Sequence, residues 1–397
     1  MGKPSTPSSK SIAEGRHEGG LLFFFCRPYP YNRAMRKNHV FLLSLIPLAL
    51  SACSSSAKAE LKSFGATLWA FDSSLGYSYG LKGKDADITE EIADYVARMN
   101  RLSDPYHAYP NLVNLYTLNQ NHQEYVVSED LYDILKAASY LREKSEGYYN
   151  PMMGRLTTLW KTTLFGGIEP QENYQPTAEA IESAKEEAAT YVAQLATSSL
   201  SFDSEKRSVA RLGEGLIDLG GLVKGYVSEY IERKIAALGT DVYLINAGSS
   251  SLSLGTNAKG QAYKVALEYM DASLPENPCR YEAKLVDCST SAIYEQYREV
   301  DGKIYSHVVS PITGVPLNDL SMAFLMGDDG AFLDAFSTAT MVAGVEKTKE
   351  WEAKYHFKAA LFEDRVGAKE VTEDGESFEV SYHYATPIYQ NEGLKHV

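Results

Sequence analysis

The chain has 397 residues, 44% of them hydrophobic, and a formal net charge of −14. That length and apolar content allow a sizeable core, in one large domain or two intimate ones. So acidic a balance argues against nucleic-acid binding and against a polybasic membrane patch.

The N-terminal region does not read as fold. Met35-Arg36-Lys37 opens a basic stretch, Val40 to Leu50 is an apolar run too short to span a bilayer comfortably, and Leu50-Ser51-Ala52-Cys53 follows. This is the pattern of a bacterial lipoprotein signal over residues 35–52, with Cys53 as the lipidated residue and 53–60 as a Ser-rich tether. Residues 1–34 fit no part of that scheme and read as a misannotated or non-native extension. The expected location is a bacterial membrane, lipid-anchored on its extracytoplasmic side. Such a compartment permits oxidation, so Cys279 and Cys288 are either a local disulfide or two free thiols. No Cys-x-x-Cys or adjacent His pair points to zinc.

Residues 61–397 read as one domain. Gly65 to Phe71 looks like a first strand. Asp85 to Met99 is the first amphipathic helix, with Ile88, Ile92, Val96 and Met99 on one face. A Tyr-, Pro- and Asn-rich loop spans Arg101 to Asn119, and helices follow at Glu129–Leu141 and Thr177–Ala196, with Ser128 and Thr177 as N-caps. After Leu200 the texture changes to short strands at 200–202, 208–212, 242–245, 251–254, 263–269, 282–286, 292–299 and 305–309. A helix pair, 331–342 and 346–354, and a strand at 359–362 close the pattern. Early helices followed by antiparallel-looking strands define an α+β architecture.

Three stretches could carry chemistry. In Gly215-Leu-Ile-Asp-Leu-Gly-Gly-Leu-Val-Lys-Gly-Tyr226, a Gly220-Gly221 turn opens an amphipathic helix whose N-terminal N–H groups suit a phosphate. Lys224 in the first turn is unfavourable to the helix dipole unless an anion meets it. The spacing is neither a P-loop nor a dinucleotide fingerprint. In Tyr305-Ser-His-Val-Val-Ser-Pro-Ile-Thr-Gly314, His307 ends a strand before a turn and could accept a proton from an attacking hydroxyl. Asp334 and Thr338 stand four apart on a helix, so two hard oxygens share a face that suits Mg²⁺.

Together these stretches resemble the ApbE family of FAD:protein FMN transferases, whose motifs are matched in order by Asp218 to Tyr226, Leu244-Ile-Asn-Ala-Gly248, Ser306 to Gly314 and Asp334 to Thr338. Arg101-Leu-Ser-Asp, Leu118-Asn119, Gly147-Tyr-Tyr-Asn-Pro-Met-Met-Gly-Arg-Leu and Trp160 are similar to its upstream motifs. The resemblance implies a T-fold-related arrangement of antiparallel sheets packed with helices. It implies FAD contacts at Asp218, Lys224, Val309 and the backbone of Gly147, Tyr148 and Tyr149. It also implies Mg²⁺ ligands at the Gly221 carbonyl, Asp334 and Thr338, with His307 as the catalytic base. The implied reaction moves FMN from FAD to a Thr or Ser hydroxyl of a partner flavoprotein, as a phosphoester, and releases AMP. That partner would be a subunit of a membrane redox complex or a secreted flavoprotein. The alternatives are a Mg²⁺-dependent FAD pyrophosphatase and an FAD-binding lipoprotein with little turnover. One departure bears on the base: Ser310 stands where the family motif usually carries Asp, which leaves no acid between Tyr305 and Gly314.

Overall fold

The computed structural model describes residues 60–248, 250–268, 280–373 and 376–395, with the backbone alone at 21–23, 368–373 and 376–382. The leader, Cys53, the tether before residue 60 and Cys279 lie outside the described residues. Leu21–Phe23 forms a short strand, β1. The domain then opens with β2 (Leu61–Ala70), β3 (Ser73–Lys82), α1 (Thr89–Leu102), α2 (Leu115–Gln120) and β4 (Tyr125–Val126). Helices α3 (Glu129–Lys144), α4 (Gly154–Phe165) and α5 (Ala178–Leu195) follow, then β5 (Ser199–Asp203), β6 (Ser208–Leu212) and α6 (Val223–Ala237). The next strands are β7 (Tyr243–Ala247), β8 (Ser251–Leu254), β9 (Tyr263–Ala266), β10 (Arg280–Ala283) and β11 (Val286–Ala292). A 3-10 turn at Ile293–Glu295 leads to β12 (Tyr297–Val300), β13 (Lys303–Ser306), β14 (Met322–Gly327), α7 (Gly330–Tyr355), β15 (Lys358–Glu373) and β16 (Glu376–Gln390).

The expected α+β class is what forms. An eight-stranded antiparallel sheet, in the order β16-β15-β14-β11-β8-β7-β3-β2, is the backbone of the domain. Helices α6 and α7 pack on each other and on its central strands, α6 over β7 and β8, α7 over β11 and β14. Their apolar residues, among them Val227, Ile231, Ile235, Leu333, Phe336 and Met341, are buried, as are Ile245, Ala323 and Leu325 on the sheet face that they cover. Burial of this kind, at about 25 cal/mol per Å² of apolar surface, is the main force holding the layers together. No helix among the described residues is long and apolar enough to cross a membrane.

Local chemistry explains most element ends. Ser128 and Thr177 cap α3 and α5 through their hydroxyls, as expected. The first helix starts at Thr89, four residues after the predicted Asp85. Asp87 Oδ1 accepts the Thr89 N–H at 2.9 Å, and the Ile88 N–H donates to the Tyr79 hydroxyl, so residues before it are held by the sheet. The predicted 282–286 strand is broken by Leu285 at φ +53°, which separates β10 from β11. The predicted 292–299 strand is likewise split by the 3-10 turn. The expected helix pair forms: α7 is two helical parts that meet at a kink at Gly344, φ +78°. Strand β3 was not among the predicted elements, although Leu75, Tyr77, Tyr79 and Leu81 alternate along it and are buried. The last strand was expected to end at residue 362; β15 continues to Glu373 and turns back as β16.

Candidate active site

The Gly220–Gly221 turn sits between two segments that pin it. The Asp218 N–H donates to Pro151 O at 2.8 Å, and the Gly154 N–H donates to Leu216 O at 2.8 Å. Asn119 closes both polar groups of Ile217, accepting its N–H at 2.7 Å and donating to its carbonyl at 3.0 Å. Asp218 Oδ1 accepts the Gly220 N–H at 2.7 Å, which shapes the turn. The upstream loop of Gly147, Tyr148 and Tyr149 is thereby carried against the mouth of α6. Gly147 has φ +86°, a conformation that glycine adopts without strain.

Helix α7 crosses α6 at the site. A Cβ on Gly225 would stand 2.1 Å from Gly330 O and 2.6 Å from Asp334 Cβ, so only glycine permits this approach. The proximity lets Asp334 Oδ2 accept the Gly225 N–H at 2.9 Å. Its Oδ1 accepts from Ser251 Oγ at 3.2 Å and Ser289 Oγ at 3.4 Å. The side chain is 5% exposed. Burial raises its carboxyl above the ordinary range, opposed first by the Lys224 charge and then by these hydrogen bonds. One turn on, Thr338 Oγ1 lies 3.1 Å from Ser291 Oγ and 3.3 Å from where a Cβ on Gly221 would be.

Tyr149 completes this corner. Its ring lies 3.6 Å from the same point on Gly221, and its hydroxyl is buried with no hydrogen-bond partner. Burial, then the charges of Asp218 and Asp334, raise its phenol well above the ordinary value. An unpartnered buried hydroxyl is unfavourable by about 1–3 kcal/mol unless something completes it. Among the described residues no three His, Cys, Asp or Glu side chains gather as a metal-binding group. A cation here would rest on one carboxylate, one hydroxyl and a backbone carbonyl, with waters beyond. That donor set fits Mg²⁺ better than a softer metal.

His307 directly follows β13. Its Nδ1 lies 3.1 Å from the Gln296 carbonyl. A carbonyl only accepts, so Nδ1 carries the proton and the neutral ring keeps its lone pair on Nε2. Burial lowers the affinity of the ring for a second proton; Glu295 and the Gln296 carbonyl oppose this, while Lys224 and Lys161 add to it. Lys224 therefore bears on both His307 and Asp334. Its Cδ is 3.3 Å from where a Cβ on Gly248 would stand. Lys161 Nζ lies 5.3 Å from the centre of the Tyr106 ring, over its face. The Val309 segment is fixed by pairing with Pro316, and Trp160 Nε1 donates to Gly314 O at 2.7 Å.

The chain belongs to the ApbE family. The family model matches residues 75–362, which take in every segment just described. The chain is 26% identical over 301 residues to the FAD:protein FMN transferase of Escherichia coli strain K12, covering 74% of this chain and 79% of that one. It is 28% identical over 233 residues to the enzyme of the same name from Treponema pallidum, covering 56% of this chain and 62% of that one. Among solved structures, the flavin transferase ApbE from Vibrio cholerae superposes with a TM-score of 0.61 at 20% identity, over 81% of this chain and 97% of that one. The Thermotoga maritima ApbE protein gives 0.62 at 22% identity, over 76% and 94%. At these identities the two structures speak for the ApbE fold alone.

Sequence motifs led to Asp218, Gly221, Lys224, His307, Asp334 and Thr338, and all six lie within the residues that the family model matches. They did not lead to the serines behind Asp334. Ser251, Ser289 and Ser291 lie on strands β8 and β11, whose alternation turns these hydroxyls toward α7. A run of small polar residues at period two was the available signal. Lys161 and Glu295 carry no sequence signal; only folding brings them to His307.

Proposed function

We propose that this chain is a Mg²⁺-dependent FAD:protein FMN transferase, acting on a Thr or Ser hydroxyl of a partner flavoprotein and releasing AMP. The observation that carries the reading is the approach of Thr338 and the Tyr149 ring to Gly221 and of Asp334 to Gly225 at the mouth of α6, with Lys224 bearing on both Asp334 and His307. The glycine turn and Lys224 suit the pyrophosphate of FAD. The Gly147 to Tyr149 backbone and Val309 would bound the rest of the dinucleotide. The Gly221 carbonyl, Asp334 and Thr338 would hold Mg²⁺, which when bound offsets charge on the phosphate oxygens. His307 Nε2 takes the proton of the acceptor hydroxyl. The oxygen pair forms the new bond to the FMN-side phosphorus, and the bond from that phosphorus to the bridging oxygen breaks, so AMP leaves with that oxygen. The acceptor would be a subunit of a membrane redox complex or a secreted flavoprotein, met on the extracytoplasmic side by an enzyme anchored through Cys53.

The purified protein, FAD, Mg²⁺ and a domain bearing the acceptor hydroxyl decide this. Flavin fluorescence on the acceptor band after denaturing electrophoresis is the expected result. AMP with free FMN and an unlabelled acceptor would replace transfer by hydrolysis, and unchanged bound FAD would leave only storage. Asp334→Ala is expected to reduce Mg²⁺-dependent turnover at least about 100-fold. His307→Ala should reduce kcat by a similar factor while the Kd for FAD changes less than about threefold.

A further inference from the structure

The segment Tyr305 to Gly314 that carries His307 contains no acid. Ser310 shapes its turn through a neutral oxygen, Oγ accepting the N–H of Ile312 at 3.2 Å and of Thr313 at 3.1 Å. A carboxylate does reach the ring, from a different element. Glu295, the last residue of the 3-10 turn, places Oε2 3.9 Å from His307 Nε2, with the two side chains 28% and 29% exposed. The next residue, Gln296, supplies the carbonyl beside Nδ1 and also accepts the His307 backbone N–H at 2.9 Å. One short turn therefore addresses both nitrogens of the ring: a carbonyl fixes the proton on Nδ1, and a negative charge faces the lone pair on Nε2.

We propose that Glu295 is a positioning residue that acts through His307, its charge stabilising the imidazolium formed when Nε2 takes a proton while the Gln296 carbonyl holds the ring. This deepens the transferase reading and rests on it. The distance matters. At 3.9 Å the pair is a through-space charge contact and not a hydrogen bond, so Nε2 remains free to receive its proton from substrate. The opposing charges are Lys224 from α6 and Lys161 from α4, both of which disfavour the imidazolium. Without Glu295 the ring would face two cations and no anion. It would then stay neutral but become a weaker base, a poor combination for a group that must accept a proton in the transition state.

The test has two arms. Imidazole NMR of the full protein, with the His307 resonance identified by its loss in His307→Ala, reads the ring without requiring turnover. Glu295→Gln keeps the side-chain shape and removes the charge. It is expected to lower the proton affinity of His307 about threefold, and Glu295→Asp to restore part of it. An identical titration in Glu295→Gln would overturn the pairing. In the transfer assay, Glu295→Gln should lower kcat up to about threefold and leave the KM for FAD unchanged, with the acid limb of the pH profile moved to lower pH. A changed KM with an unchanged kcat would make Glu295 a binding residue and overturn the positioning role. Absence of transfer by the native protein, with the NMR coupling intact, would remove the transferase reading and leave the Glu295–His307 pair standing.

Discussion

At the scale of single residues, burial sets the behaviour of the site. Tyr149 and Asp334 are nearly inaccessible, yet one lacks a partner and the other has three. The serines and the Gly225 N–H hold the Asp334 carboxylate in one orientation before any ligand arrives. The Tyr149 hydroxyl instead waits for one. Tyr149→Phe should leave the unliganded protein equally stable or more stable, by about 1 kcal/mol, because an unmatched polar group is removed. The same change should weaken FAD binding about tenfold in a fluorescence titration, and unaltered affinity would disconnect Tyr149 from the ligand. For His307 the sign of the pH effect follows from its environment. Burial lowers its proton affinity below the ordinary histidine value, so the base is neutral at neutral pH. Transfer should rise as pH increases through the titration of the ring and stay level above it.

At the scale of elements, the α6–α7 crossing is the decisive contact. Gly225 and Gly330 let the two helices approach until a carboxylate on one accepts a backbone N–H of the other. A methyl group at Gly225 meets backbone on the facing helix, which cannot move aside as a flexible side chain would. Gly225→Ala should therefore destabilise the fold by about 2–3 kcal/mol in urea unfolding and weaken Mg²⁺ binding at the same time. Retention of full stability would mean that the helices can separate without loss. The crossing also explains why Asp334 is buried and Thr338 half-buried, though both are ordinary for an exposed helix: their face of α7 is turned onto α6, β8 and β11.

At the scale of the molecule, the sheet encloses more acid than its charge balance makes obvious. Asp287 on β11 is 3% exposed, and its Oδ1 has no hydrogen-bond partner. Burial, followed by the charges of Glu232, Glu229 and Asp329, pushes its carboxyl up to about 8, with a Ser253 hydrogen bond opposing. The unfolded chain ionises this group near pH 4, whereas the folded chain keeps it protonated much higher. Its contribution to stability is complete below the unfolded value and is lost as pH rises from about 4 to about 8. Asp287→Asn cannot ionise, so its advantage over the native protein should grow through that window and level off above it. Thermal unfolding across pH 4–9 measures this, and a constant difference between the two proteins would contradict it.

Periodicity, caps and ordered motifs in the amino-acid sequence determined the α+β class, helices α3, α5 and α6, and the six residues Asp218, Gly221, Lys224, His307, Asp334 and Thr338. These are local properties: a helix face repeats every 3.6 residues, and Ser128 or Thr177 bonds an N–H three residues away. Strand β3 was equally legible in its alternating Leu and Tyr residues. The break at Gly344 was legible too, as the gap between the two expected helices; the break at Leu285 and the late start of α1 were less so, because a positive φ in a non-glycine residue or a bond to Tyr79 depends on neighbours distant in the chain. Only the tertiary structure decided that Ser251, Ser289 and Ser291 stand behind Asp334 and Thr338, that Tyr149 is left without a partner, and that Glu295 faces His307. Each is a contact between elements, fixed by how helices seat on a twisted sheet, and no spacing within one element encodes it.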